Sequence, residues 1–223
     1  MGRTHVAVRH VNRQATTGRF ISLEGGEGAG KSTQVACLAA ALADRGVHTL
    51  VTREPGGTEG AEAIRSLLMQ GDVARWSAHS ETLLFAAARA DHVEKRIRPA
   101  LGAGHWVICD RFIDSTRAYQ GVAGGIDDAA VLAIHGFGTR GLLPDRTFIL
   151  EVPIDEGRAR AATRDGAAAD RFAARGDNFH ADVAAAFRRI AAQEPDRCRL
   201  IDASAHPDAV TAAILDQLAD LLP

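Results

Sequence analysis

Eight consecutive residues constrain this chain more than any other stretch: Gly25-Gly26-Glu27-Gly28-Ala29-Gly30-Lys31-Ser32. They satisfy G-x-x-x-x-G-K-[ST] where that pattern has physical meaning, between a compact apolar run, 20–24, and an Ala/Leu-rich run, 31–45, that Gly46 stops. A strand feeding a helix through such a loop turns consecutive backbone N–H groups inward, and the helix N-terminus adds its partial positive charge. The chain's own Gly, Lys, Ser and Thr frequencies give on the order of 0.002 chance matches. One of only two lysines fills the lysine slot. The loop therefore reads as a cradle for a nucleoside triphosphate, formed by Gly25, Gly26, Glu27, Gly28, Ala29, Gly30, Lys31, Ser32 and Thr33. Lys31 is placed to reach the β/γ-phosphates, and the Ser32 hydroxyl to hold Mg²⁺. The dinucleotide fingerprint G-x-G-x-x-G does not fit, because Lys31 stands where its last glycine belongs.

Around the loop, strand-like and helix-like runs alternate. Strands are expected at 20–24, 47–52, 105–109, 146–152 and 199–202, and helices at 31–45, 59–70, 80–98 and 207–222. Ser80 is the expected cap of the long helix, with Lys95, Arg96 and Arg98 in its last turn and Pro99 and Gly102 closing it. This alternation specifies an α/β domain, residues 20–223, with a parallel sheet covered on both faces. The net charge of −2 argues against a nucleic-acid partner, and the longest apolar run, Val35 to Ala43, falls well short of a membrane span. Cys37, Cys109 and Cys198 form no C-x-x-C pair, so the expected compartment is the reducing cytoplasm. Residues 1–19 carry Arg3, Arg9, Arg13 and Arg19, no acid and no secretory apolar core; they read as a disordered N-terminal extension.

A switch GTPase would add D-x-x-G and N-K-x-D, and neither occurs. A small kinase needs only a donor site and an acceptor site, which suits the length. Three segments stand where an acceptor site would be built. They are Thr52-Arg53-Glu54-Pro55-Gly56-Gly57-Thr58, then Leu83-Leu84-Phe85-Ala86-Ala87-Ala88-Arg89, then the run D-R-F-I-D-S-T-R-A-Y-Q from Asp110 to Gln120. Together they closely resemble the thymidylate kinase family, from about residue 20 to the C-terminus. The resemblance implies the P-loop kinase three-layer sandwich, α/β, with a five-stranded parallel sheet in the order 2-3-1-4-5. It also implies a homodimer and Mg²⁺-assisted transfer of the ATP γ-phosphoryl group to dTMP, giving dTDP and ADP.

The same resemblance assigns roles. Arg53 holds the acceptor phosphate, a task suited to the bidentate guanidinium, and Arg111 lies near both the transferring and the acceptor phosphates. Asp110 supports the Mg²⁺ shell with Ser32, and Glu27 lies near the sugar 3′-hydroxyl. Phe85, a core residue by pattern alone, stacks on thymine, while Arg89, one turn on, donates to a base carbonyl. Tyr119 packs where a 2′-hydroxyl would sit; Thr116 and Gln120 contact base or sugar. A lid at about 157–179 supplies transition-state cations, with Arg160, Arg164 and Arg171 the candidates and Asp170-Arg171 the nearest local match. A kinase with another acceptor, or a nucleotide-binding regulator without catalysis, remain the rival readings; retention of Lys31, Ser32, Asp110 and Arg111 argues against the second.

Overall fold

The computed structural model describes residues 18–165, 172 and 175–222. Of the expected 1–19 extension, only the last two residues fall within that range. Strands β1 (Phe20–Gly25), β2 (Thr49–Arg53), β3 (Trp106–Asp110), β4 (Arg146–Glu151) and β5 (Cys198–Asp202) form one sheet, parallel throughout, in the order β2-β3-β1-β4-β5. That is the order expected. The register places Arg53 beside Asp110, Asp110 beside Leu23, and Gly25 beside Leu150. The C-terminal ends of the four strands therefore meet along one edge, where the phosphate loop starts.

Period-two alternation distributes the core. Ile21, Leu23, Ile108 and Phe148 face α1 (Lys31–Ala43) and α9 (Pro207–Asp216), packing on Leu38, Leu42, Val210 and Ile214. Phe20, Val107 and Cys109 point to the opposite face, against Val93, Ile97 and Val131. Further along that face Ile149 packs on Phe187 and Ile190 of α8 (Asp177–Gln193). Every residue of β1 is buried, the polar Ser22 and Glu24 included.

Several boundaries differ from expectation. α2 (Glu59–Met69) begins where expected, with Thr58 as its cap, the hydroxyl accepting from the Ala61 N–H, and ends one residue earlier than expected. α3 (Ala78–His92) is capped by Ser77, not Ser80: the Ser77 hydroxyl accepts from the Ser80 N–H, so Ser80 lies within the first turn. Nor does the helix stop before Pro99. A π-helical turn, Val93–Ile97, leads into α4 (Arg98–Gly102), where Pro99 occupies a first-turn position that needs no N–H donor. β2 begins two residues late because the Val47 N–H still closes on the Leu42 carbonyl. The last helix ends at Asp216 and passes into turns.

Beyond β3 the chain forms α5 (Ile113–Thr116), a second π-helical turn (Arg117–Val122) and then α6 (Asp128–Thr139). α7 (Ile154–Asp165) follows β4. A buried ionic cluster anchors α5 to the sheet. Asp114, fully buried, accepts from Arg197 through both oxygens (2.7 and 2.8 Å) and from Arg117 (3.1 Å). Thr147 of β4 also donates to it, and Ser22 of β1 shares a hydrogen bond with Thr147. Against the upward push of burial, the two guanidinium groups hold the Asp114 carboxyl below the usual range. This cluster fixes the element that carries Thr116, Tyr119 and Gln120.

Candidate active site

Gly28 and Gly30 adopt positive φ, 69° and 84°, which turns the phosphate loop back over the start of α1. A Cβ at Gly28 would collide with the Gly157 carbonyl at the base of α7, so a side chain is excluded there. No side chain caps α1 and no acid stands in its first turn. Its leading N–H groups and positive dipole end are thus directed at the loop, an arrangement that favours an anion. Lys31, only 7% exposed, folds back so that Nζ donates to the Gly26 and Gly25 carbonyls (2.6 and 3.2 Å). Burial, and next the Arg111 charge, lower its ammonium to about 8. A cation so desolvated gains strongly from a bound phosphate. Beside it the Ser32 hydroxyl donates to Asp110 Oδ2 (2.6 Å), bringing two hard oxygen donors together at the mouth of the loop.

Across the loop stands Arg111, whose φ of 68° is unusual for a residue with a side chain. Its Nη2 donates to Glu27 (2.6 Å) and Nη1 to the Gly25 carbonyl and Ser115 hydroxyl (3.2 Å each). The turn is held from below by Glu24, fully buried, which accepts from the Phe112 N–H (2.7 Å) and the Ser115 hydroxyl (2.6 Å). Burial, with Asp114 next, pushes the Glu24 carboxyl up to about 8. Arg111 also lies over the Tyr119 ring at 5.1 Å, and burial pushes the Tyr119 phenol up.

These groups open onto a cleft of about 510 Å³ that runs from Lys31 and Ser32 to Phe85. Arg53, Phe85, Arg89, Thr116, Tyr119 and Gln120 all line it, so the structure gathers every expected acceptor-side residue into one cavity. Phe85 is half-buried and tilted against Phe172, ring centroids 5.8 Å apart. Arg89 is 2% exposed and pinned: Nε donates to Glu54 (2.7 Å), and Nη2 to Thr116 Oγ1 (2.9 Å) and the Phe112 carbonyl (3.1 Å). Gln120 turns its amide nitrogen onto Glu81 (2.8 Å). Arg53 is half exposed, with Nη2 on Glu62 (3.0 Å).

The lid candidates are placed differently. Arg160 donates to the Ala203 carbonyl (3.1 Å), pairs with Glu156, and flanks a recess of about 240 Å³ on the β5 side of the loop with Thr33 and Gln34. It is not brought to the acceptor cleft. Arg164 lies on α7 with its side chain outside the described set, and Arg171 lies outside the described residues. Of the other arginines in the expected lid, Arg158 pairs with Asp177, and Arg175 donates to both Glu81 oxygens while stacking over Phe179 (4.4 Å). A larger cavity, about 710 Å³, separates α7 from α8, but its rim cations Arg158 and Arg188 are paired with Asp177 and Glu151. Lys31, Ser32, Arg53 and Arg111 converge instead with Phe85 and Tyr119 in the smaller cleft.

The thymidylate kinase family model matches residues 23–214 of this chain. The chain belongs to the thymidylate kinase family. A thymidylate kinase of Rhizorhabdus wittichii is 57% identical over 206 residues, 92% of this chain and 99% of that one. One of Caulobacter vibrioides is 53% identical over 201 residues, 90% and 96% of the two chains. The crystal structure of thymidylate kinase from Ehrlichia chaffeensis superposes with a TM-score of 0.72 at 34% identity, covering 90% of this chain and 98% of that one. Family membership makes the protein a nucleoside monophosphate kinase, an ATP-binding transferase of nucleotide biosynthesis.

Within this thymidylate kinase fold, three residues without a role in the sequence reading face or support the cleft. Glu54 lines it and grips Arg89. Arg65 of α2 lines it and donates to the Pro55 carbonyl (2.9 Å). Glu24 lies beneath it. A lone acid inside the apolar 20–25 run was a visible signal for Glu24; Arg65, a charge on an amphipathic helix, offered none.

Proposed function

We propose that this chain transfers the γ-phosphoryl group of ATP to the 5′-phosphate of dTMP, giving dTDP and ADP. The observation that carries the reading is the single cleft in which the phosphate loop, Lys31 and Arg111 face Phe85, Arg89 and Tyr119. The triphosphate is bound by the loop amides of residues 25–33, and the recess beside Thr33 and Arg160 accommodates the adenosine half. Lys31 releases the Gly25 and Gly26 carbonyls for the β/γ-phosphates. Arg111 sits where it can touch both reacting phosphates, with Arg53 on the acceptor phosphate, so that charge is met by fixed cations and little covalent chemistry is required. The Ser32 hydroxyl and Asp110 carboxylate are the hard oxygen donors that would hold Mg²⁺, which supplies charge neutralisation to the phosphates when bound.

At the other end Phe85 forms a flat wall for the pyrimidine, Arg89 donates toward O4, and Tyr119 closes the space at C2′ beside Glu27 (3.4 Å). Thr116 and Gln120 complete the base and sugar contacts. The candidate transition-state cations are Arg160 and Arg164 of α7 and Arg171, which lies outside the described residues. A homodimer is supported by the exposed apolar side chains of Phe137 (92%) and Leu132 on α6 and Leu83 on the adjoining α3. Free Cys37, Cys109 and Cys198 support a cytoplasmic location, and no helix among the described residues is long and apolar enough to cross a membrane.

ADP release measured with a panel of monophosphates tests the reading. Cytosine sets an amino donor against Arg89 where thymine sets a carbonyl, a mismatch worth several kcal/mol, whereas losing the 5-methyl group costs about 1 kcal/mol. The expected order of kcat/KM is dTMP, then dUMP, with dCMP, purine monophosphates and ribose forms far behind. A preference for dCMP or a purine would overturn it.

A further inference from the structure

Arg89 is held by a polar chain that starts in a different element. Glu54, at the end of β2 and 5% exposed, accepts from Arg89 Nε (2.7 Å) through one oxygen and from His92 Nδ1 (3.0 Å) through the other. His92 is fully buried, three residues after Arg89 on α3, so one helix face grips both oxygens of the same carboxylate. On the other side of the ring, Nε2 shares a hydrogen bond with the Thr52 hydroxyl, 2.7 Å away. The backbone makes room for this chain at Gly57: a Cβ there would stand 2.5 Å from His92 Nε2 and 2.7 Å from Thr52 Oγ1.

We infer that Glu54 and His92 are positioning residues for acceptor specificity, holding the Arg89 guanidinium so rigidly that it cannot withdraw from a wrong base. The inference rests on the reading of Arg89 as the donor to the pyrimidine. With Nε and Nη2 engaged, Nη1 is the nitrogen with no hydrogen-bond partner among the described residues, and its direction is set by the other two. A matching carbonyl is bound whether the guanidinium is stiff or mobile. A mismatched amino group is rejected only if the donor stays in place, because a mobile arginine swings aside and relieves the clash. The grip therefore acts more on discrimination than on turnover of the correct substrate.

The test compares kcat/KM for dTMP and dCMP in the full chain and in Glu54→Gln, His92→Leu, His92→Asn and Arg89→Ala, each checked for folding by circular dichroism. Glu54→Gln and His92→Leu are expected to lower the dTMP/dCMP ratio ~10-fold or more, chiefly by raising activity on dCMP relative to dTMP, and His92→Leu, outside the cleft lining, to keep kcat for dTMP within ~3-fold. His92→Asn, whose amide occupies the Nδ1 position, should restore most of the ratio. If Arg89→Ala leaves the ratio unchanged, the role of Arg89 is wrong and the inference falls with it. If Arg89→Ala collapses the ratio while Glu54→Gln and His92→Leu depress both substrates equally, Arg89 stands and the positioning role is overturned. Should Glu54→Gln fail to fold, the His92 pair gives the same decision.

Discussion

Replacing Glu24 by glutamine should remove a pH dependence of stability that the buried carboxyl imposes. Glu24 ordinarily titrates at 4.5 and is pushed up to about 8 in the fold by burial and then by Asp114. A group whose folded value lies above its unfolded one binds more protons in the native state, so its stabilisation is complete below 4.5 and is lost as pH rises toward 8. His135 opposes it at the acid end. Burial, then the Arg89 charge, depress that imidazole from 6.5 to about 4, so its contribution is lost as pH falls through that range and is complete above 6.5. Lys31, lowered to about 8, begins to add stability about one pH unit below that value and does so more steeply above it. Glu24 dominates between 6.5 and 8, where about 1.5 pH units at ~1.4 kcal/mol each, reduced by its own approach to 8 and by the edges of the His135 and Lys31 titrations, gives a net loss of about 1 kcal/mol. Urea unfolding at pH 6.5, 7.2 and 8 reads this directly. The wild-type chain should lose about 1 kcal/mol across the series, while Glu24→Gln, which keeps an acceptor for the Phe112 N–H and a polar partner for Ser115, should hold level or rise slightly. Parallel declines in the two proteins, or a flat wild-type profile, would refute the assignment.

Lys31→Ala should fold and lose a factor on the order of 10² or more in kcat, measured by coupled ADP release; in the wild-type chain, KM for ATP should climb above pH 8 as the buried ammonium loses its proton. Among Arg160→Ala, Arg164→Ala and Arg171→Ala, at least one should lower kcat more than it raises KM, and three wild-type kcat values would remove the catalytic lid. Arg197→Met should destabilise the fold by roughly 3–5 kcal/mol in urea unfolding, because it strips the bidentate partner from fully buried Asp114. Phe137→Asp should shift sedimentation toward the monomer if α6 forms the dimer face.

The sequence by itself determined the α/β architecture and the loop and helix start that follow β1. Strand–helix alternation leads to a parallel sheet on steric grounds alone, and the phosphate loop is a local device whose eight residues carry their own turn chemistry and helix start. Resemblance supplied the strand order and the acceptor residues, and those residues do meet in one cleft. Local reading failed where tertiary packing decides. Ser80 is as good a cap as Ser77 by composition, and Pro99 stops a helix unless a π-helical turn precedes it. Tertiary structure alone decided what holds the functional side chains in place. Glu54 and Arg89 are 35 residues apart, Glu24 and Ser115 are 91 apart, and Asp114 and Arg197 are 83 apart. No periodicity or motif encodes such pairs, because a buried carboxylate finds its partner only when the register of β1, β2 and β3 brings separate segments to one edge. The same holds for Arg160, a charge that resemblance assigned to the lid and that the fold directs to the Ala203 carbonyl, 43 residues away. Chemistry that resides in consecutive residues was legible, and chemistry that depends on long-range desolvation and pairing was not.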